Sequence, residues 1–265
     1  MLVAQTNGVR LKKKYGQHFL RDYNILASII SHAELKEQDA VLEIGCGDGF
    51  LTKALLDCPL KKLWSFEIDP EWAEKIKQTV ADNKFTLFEQ DFLKVDPQQF
   101  TVDAPWVMVA NLPYNITFPI LEIVRTHTHL FSRGVIMVQE EVAQKLVKKA
   151  QSGKDYGFIS LFYQHYFEWK LLDKVLPQSF MPAPKVVSRV IAFTVKKERQ
   201  TIYKEAAFWD FIKVCFKQPR RTLRNNLAQF PDQIALIGQE KAAKRAQQLS
   251  MEELLCLWDK IASFY

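Results

Sequence analysis

Val41-Leu42-Glu43-Ile44-Gly45-Cys46-Gly47-Asp48-Gly49 is an apolar run that stops in a glycine-spaced turn, and Phe50 to Leu56 then reads as a helix. A continuous apolar run feeding a helix is the pattern of a buried strand in a parallel sheet. The glycines permit positive φ and let a ligand approach the backbone closely. Their spacing is Gly-x-Gly-x-Gly, not the Gly-x-Gly-x-x-Gly of dinucleotide folds, and no Gly-Lys-Ser/Thr follows as a phosphate loop needs. Alone, the turn reads equally as a plain strand-to-helix connection. The next strand, Leu63-Trp64-Ser65-Phe66-Glu67-Ile68-Asp69, gives it meaning. Glu67 stands 22 positions after Gly45, where open α/β sheets place the acid that binds a ribose diol. Asp69 before Pro70 is a helix start signal instead.

Two further strand ends matter. Phe85 to Phe88 is followed by Glu89-Gln90-Asp91, and Asp91 is a candidate for the amino group of a bound adenine moiety or, equally, a solvated loop acid. Trp106 to Ala110 runs into Asn111-Leu112-Pro113-Tyr114. The Asn111 side chain offers an acceptor oxygen, and the Leu112 carbonyl, ahead of a rigid proline, is a second. Tyr114 adds a flat face. Two acceptors and a stacking surface make a holder for the exocyclic amine of a base taken out of its stack, although Asn and Pro also build ordinary turns. Gly45, Glu67, Asp91 and Asn111 end strands at one sheet edge, where doubly wound folds bind ligands. The pattern fits a class I S-adenosylmethionine-dependent methyltransferase better than a dehydrogenase.

Strand and helix signals alternate along Val41–Ile44, Leu51–Leu56, Leu63–Ile68, Glu71–Ala81, Phe85–Phe88, Trp106–Ala110, Pro119–Arg125, Gly134–Val138 and Glu140–Ala150. That order predicts parallel βαβ units. Gln164–Trp169 and Val187–Val195 read as closing strands, the second alternating as an antiparallel edge does. The expected fold is α/β, a Rossmann-like domain over residues 1–196 with a mostly parallel seven-stranded sheet. After the charged linker 196–200, only helices are expected, over 206–216, 220–228, 239–249 and 251–263. They form a small all-α domain, 197–265, with Phe208, Phe211, Ile212 and Cys215 as its core face. A chain of 265 residues suits one large and one small domain.

The formal net charge is +6 and the isoelectric point about 9.0, which points to an anionic partner such as nucleic acid. The excess is local. From Lys197 onward there are 12 Lys and Arg against 8 Asp and Glu, which places +4 there. Lys213, Lys217, Arg220, Arg221 and Arg224 are the densest part; a charge run is also, in general, a solvated face. Arg10, Lys12, Lys13 and Lys14 form a second cluster on an N-terminal arm. Cys46, Cys58, Cys215 and Cys256 include no Cys-x-x-Cys pair, so neither a metal site nor a disulfide frame is suggested. No signal-type or long uncharged apolar run occurs, so no membrane contact and a cytoplasmic location are expected.

Lys14-Tyr15-Gly16-Gln17-His18-Phe19-Leu20-Arg21-Asp22 resembles the N-terminal motif of the ribosomal RNA adenine N6-dimethyltransferases. Phe180-Met181-Pro182-Ala183-Pro184-Lys185-Val186-Val187-Ser188 is similar to that family's Phe-x-Pro-x-Pro-Lys-Val-x-Ser signature. Phe216-Lys217-Gln218-Pro219-Arg220-Arg221-Thr222-Leu223-Arg224-Asn225-Asn226-Leu227 resembles the basic motif of its small-subunit branch, and argues against the large-subunit enzymes that confer antibiotic resistance. The resemblance implies dimethylation of two adjacent adenosines near the 3′ end of 16S rRNA, in the small ribosomal subunit or its precursor, by a monomer. It implies Asn111, Leu112, Tyr114 and Phe180 as target-base residues. Tyr114 and Phe180 would sandwich the flipped base. S-adenosyl-L-methionine would be held by His18, Leu20, Gly45, Gly47, Glu67, Asp91 and Asn111, and RNA by Lys185, Lys217, Arg220, Arg221 and Arg224. No metal is implied. Two positions depart from the pattern: His18 stands where many relatives carry Asn, and Pro219 where they carry Arg. A non-catalytic RNA-binding factor of the same fold is the more distant alternative, and the intact Gly45, Gly47, Glu67, Asp91 and Asn111 argue against it.

Overall fold

The computed structural model describes residues 5–6, 9–10, 12, 15–150 and 156–265; Lys13 and Lys14 of the N-terminal cluster lie outside the described residues. The chain divides into two compact units. One comprises Met1–Ala143 and Glu168–Val195, the other Gln144–Phe167 and Lys196–Tyr265.

In the first unit, β1 (Phe19–Leu20) leads to α1 (Tyr23–Ala33). Asp22 caps α1, accepting from the amides of Asn24 and Ile25. There follow β2 (Ala40–Ile44), α2 (Phe50–Leu56), β3 (Lys62–Glu67), α3 (Pro70–Thr79), β4 (Phe85–Glu89), β5 (Trp106–Asn111), α4 (Thr117–Thr126), β6 (Phe131–Gln139) and α5 (Glu140–Val147). After α6 (Phe158–Tyr166) come β7 (Phe167–Val175), β8 (Phe180–Met181) and β9 (Ser188–Val195). Seven strands form one sheet in the order β4-β3-β2-β5-β6-β9-β7. β4, β3, β2, β5 and β6 are parallel, and β9 runs antiparallel to β6. The mostly parallel sheet expected from the sequence is present. β9 is not its edge, however, because β7 pairs beyond it. Every residue of β2 is buried, as are Trp106 to Ala110 of β5, which explains why, Glu43 apart, the central strands read as apolar runs.

The chain starts at β2, steps outward to β3 and β4, then returns to β5 on the other side of β2. That reversal is the switch point at which open α/β sheets leave a crevice. The register brings its walls level. Ile44 pairs with Phe66 and Leu42 with Met108, so Gly45, Glu67 and Asn111 all emerge at the carboxyl edge.

The second unit continues with α7 (Glu205–Cys215), α8 (Leu223–Asn226), α9 (Pro231–Ile237), α10 (Gln239–Ala243) and α11 (Met251–Ile261). The sequence reading placed all of 1–196 in one domain and made Gln164–Trp169 a strand; the structure puts 164–166 in α6 and groups 144–167 with the C-terminal helices. Phe158, Phe162 and Tyr166 recur at spacing four, a helical stripe, and each ring packs on Trp209 of α7. Aromatic β-propensity had suggested a strand, and this packing overrides it. Phe208, Phe211, Ile212 and Cys215 are fully buried. The expected helix over 220–228 shrinks to α8, because Asn226 is spent on the preceding loop. Its Oδ1 accepts from the Gln218 amide, and its Nδ2 donates to the carbonyls of Cys215 and Gln218. The expected helix over 239–249 breaks after α10, where the Lys244 carbonyl accepts from the Leu223 amide. Helix α9 lies between the helices expected over 220–228 and 239–249, in a stretch for which no element was expected.

Gly134 lies in β6 opposite Met108 and Phe193. A Cβ there would meet the Met108 carbonyl oxygen at 2.7 Å and the Phe193 ring at 2.5 Å. Gly134→Ala is therefore expected to destabilise the protein by about 1–3 kcal/mol, the usual cost of overpacking; denaturant titration showing no loss would contradict this packing.

Candidate active site

Gly45, Gly47 and Gly49 take φ of 76°, 55° and 82°. At Gly47 an added Cβ would stand 2.4 Å from the Phe19 ring, so the turn has neither the backbone freedom nor the room for a side chain there. With this geometry the Gly47 amide reaches β3 and donates to Glu67 Oε2 at 2.9 Å, while Glu67 Oε1 accepts from the Asp69 amide at 2.9 Å. Glu67 is only 5% exposed. Burial pushes its carboxyl above the usual range, and the two amides oppose the shift.

Asp69 caps α3 through the Glu71 amide, as expected, and does more. Its fully buried carboxylate accepts Lys12 Nζ at 2.6 Å and Gln17 Nε2 at 2.8 Å. Lys12 also pairs with Glu71. The N-terminal segment is thereby fastened beside the sheet edge. Further along it, Arg21 pairs with Asp48 at 2.6 Å, and β1 pairs with β8.

These elements enclose an open cleft of about 570 Å³, counted to its mouth. Gly45, Gly47, Glu67, His18, Asn111, Leu112 and Tyr114 are among the residues that line it. Asn111 Nδ2 donates to the His18 carbonyl at 3.1 Å, which leaves Oδ1 as the unsatisfied end of the amide. The Leu112 amide is bonded to Met137, whereas its carbonyl has no protein donor among the described residues. Tyr114 is half-buried, and its hydroxyl and Ser188 Oγ are 2.5 Å apart. Burial raises the Tyr114 phenol above its ordinary range.

Three expected site residues do not line this cleft. Asp91 is at the same edge, but it caps a short turn by accepting from the Leu93 amide at 3.0 Å and does not line the cleft. Leu20 is a core residue beside a smaller hollow behind Gly45 and Asn111. Phe180 is also in the core, 5% exposed. The pleat accounts for it: Phe180 pairs with Leu20 and faces inward, so the next residue, Met181, is the exposed one. The ring stacked near Tyr114 is His18, with centroids 6.1 Å apart and planes 20° apart. Lys185 is exposed and pairs with no described residue. In the second unit Lys217, Arg220, Arg221 and Arg224 are exposed and form no ion pair with any described residue. Among the described residues no cluster of His, Cys, Asp or Glu is placed to hold a metal ion.

The sequence reading missed Gln17 and Ile68, which also line the cleft. Ile68 is 43% exposed, and an apolar residue straight after the strand-end acid was its signal. It also passed over Glu43, buried beneath the turn, which accepts from Thr52 Oγ1 at 2.8 Å and Ser65 Oγ at 2.5 Å.

A model of the family described as ribosomal RNA adenine dimethylase matches residues 8–262. The chain belongs to this family. It is therefore an rRNA adenine dimethyltransferase, with S-adenosylmethionine as methyl donor. The ribosomal RNA small subunit methyltransferase A of Chlorobaculum parvum is 35% identical over 96% of this chain and 90% of its own. That of Bacillus licheniformis is 36% identical over 96% and 92%. Among solved structures, a dimethyladenosine transferase from Plasmodium falciparum superposes with a TM-score of 0.77 at 24% identity, covering 92% of this chain and 98% of that one. The 23S rRNA methyltransferase ErmE gives 0.70 at 24%, covering 91% and 99%. Both structural likenesses are of fold.

Burial pushes the Glu43 carboxyl up to about 7 from an ordinary 4.5, with Glu67 nearby adding to the shift and the two hydroxyls opposing it. The folded state thus binds a proton more tightly than the unfolded chain. The resulting stability is full below about pH 4.5 and is lost as pH rises through 7. Stability should fall by up to about 3 kcal/mol between pH 5 and 8, and Glu43→Gln should flatten that slope. Denaturant titrations across the range that give parallel profiles for both proteins would contradict it.

Proposed function

We propose that this enzyme transfers methyl groups to the N6 amines of two adjacent adenosines near the 3′ end of 16S rRNA, acting in the cytoplasm as a monomer during small-subunit assembly. The observation that carries this reading is the pair of acceptors at Asn111 and Leu112, both without a donor among the described residues, in the same cleft as Glu67 and the glycine turn.

The cleft suits S-adenosylmethionine. Glu67 keeps lone pairs free beyond its two amide bonds, which fits ribose hydroxyls, and Ile68 beside it offers an apolar face to an adenine ring. The bound donor supplies an electrophilic methyl group. Asn111 Oδ1 and the Leu112 carbonyl would accept the two N–H bonds of the target amine. They thereby draw its lone pair out of the ring conjugation and stabilise the positive charge that grows on nitrogen. Tyr114, fixed by Ser188, would stack on the flipped base, a contact worth roughly 1–3 kcal/mol. Positioning for in-line transfer supplies much of the rest. The methylated nitrogen is acidic enough to lose its proton to water, so no dedicated base is required.

Recruitment falls to the basic loop of the second unit. Arginines with no acidic partner among the described residues are suited to phosphate, and Asn226 holds the loop that presents Arg220 and Arg221. Lys185 is a further exposed cation in the first unit.

Labelled methyl transfer should go to small subunits lacking the modification and not to large subunits; the reverse preference would overturn the substrate assignment. Asn111→Ala should leave donor affinity nearly intact while kcat drops about 10²–10³-fold, the scale for one lost transition-state hydrogen bond. Near-wild-type turnover would reduce Asn-Leu-Pro-Tyr to an ordinary turn. Reversing Arg220, Arg221 and Arg224 to Glu should raise KM for RNA and flatten its salt dependence. An unchanged salt slope would leave the patch a solvated face.

A further inference from the structure

Met181 is 53% exposed, although it pairs with the buried Phe19 in the ribbon of β1 and β8. Residues directly opposite each other in an antiparallel pair point to the same face, and Phe19 lines the cleft. The Met181 side chain therefore stands on the cleft side of the ribbon. The chain that follows it borders the cleft as well. The Pro182 carbonyl oxygen lies 2.7 Å from His18 Nδ1, and Ser188 is bonded to Tyr114. Between them, Lys185 and Val186 are exposed. Among the described residues of the first unit, the exposed large apolar side chains are Tyr23, Ile68, Val102, Leu176, Met181 and Val186. Single exposed apolar residues are ordinary, whereas a group of them beside a site marks an interaction surface. Leu176, Met181 and Val186 share one stretch of chain, and Ile68 lies in the cleft itself.

We propose that Met181, with Val186, is the platform on which the adenosine next to the one in the cleft rests. The inference rests on the reading of two adjacent target adenosines. When either is taken into the cleft, the other stays at its mouth, and flipping has removed one of its stacking partners. An apolar side chain replaces that partner, and Lys185 supplies a cation for a phosphate of the same segment. The reaction itself favours an apolar contact here. During the first modification the neighbour carries an N6 amine with two N–H bonds. During the second it is already dimethylated, has no N–H on N6, and is bulkier and more apolar. A contact built on hydrogen bonds to N6 would serve only the first of these. A thioether on an unbranched chain is polarisable and adaptable, and packs on both.

Met181 is exposed, so Met181→Ala and Met181→Leu should both fold. Kinetics are followed on undermethylated small subunits. Met181→Ala should raise KM about fivefold or more, with kcat and donor Kd within about twofold of wild type. Met181→Leu keeps an apolar side chain of similar volume and should restore KM. The dependence of KM on salt should keep its wild-type slope, because a thioether releases no counterion. Wild type and Met181→Ala are then compared in binding to a hairpin RNA with two adjacent loop adenosines and to its twin in which one of the two is abasic. Met181→Ala should bind the intact hairpin more weakly, and the two proteins should bind the abasic hairpin alike. An unchanged KM in Met181→Ala, or no recovery in Met181→Leu, would overturn the proposal. So would a loss as large on the abasic hairpin as on the intact one, because Met181 would then meet another part of the RNA. A loss on subunits that is absent on the intact hairpin would assign the contact to a protein of the subunit and overturn it equally. Activity of the unmodified enzyme in the same assay tests the underlying reading separately.

Discussion

The carboxylate of Glu67 is the point on which the site is built. One oxygen accepts the Gly47 amide and the other the Asp69 amide. The glycine turn after β2 and the start of α3 are thus locked to the end of β3. Asp69 extends the lock, since its own buried carboxylate receives Lys12 and Gln17. A buried carboxylate is tolerated only when hydrogen-bonded, and these groups satisfy one another. Without Glu67, the Gly47 amide would lose the partner that fixes its direction, and the N-terminal segment would be anchored to an acid whose backbone had lost its own.

The far wall depends on a different device. Asn111 ends β5 beside β2, so sheet register alone sets its height relative to Gly45. Its side-chain direction is set by the His18 carbonyl. This division suits the chemistry. The donor side is held by buried backbone bonds. On the target side, no described residue donates to the Asn111 Oδ1 or the Leu112 carbonyl, so both are open to a ligand that brings donors. An amine with two N–H groups does so.

Much of this was legible in the sequence. The central strands are buried over all of β2 and over Trp106 to Ala110 of β5, so their mostly apolar runs and the residues at their ends could be read directly. Glu67, Gly45 and Asn111 followed from strand ends because parallel register carries strand ends to one edge. Reading failed where tertiary packing chose between local options. Phe180 looked like a base-stacking aromatic beside two prolines, yet pleat parity in the short β8 turned it into the core. Asp91 stood at the right edge, where one of its oxygens caps a local turn. Helix α6 was hidden by aromatic residues that favour strands in isolation, and Asn226 shortened α8 through bonds to residues eight and eleven positions away. Lys12 and Gln17 could not be foreseen as anchors, because their partner, Asp69, lies over fifty residues further on.

The central claim is that Asn111 and Leu112 hold the target amine. A crystal structure of the protein with S-adenosylhomocysteine and an adenosine-containing RNA fragment tests it most directly. The account predicts the adenine N6 within roughly 3 Å of both Asn111 Oδ1 and the Leu112 carbonyl oxygen, hydrogen-bond distance, with the ring stacked on Tyr114. An adenine whose N6 contacts neither oxygen, in a complex that still transfers methyl groups when given the intact donor, would contradict it.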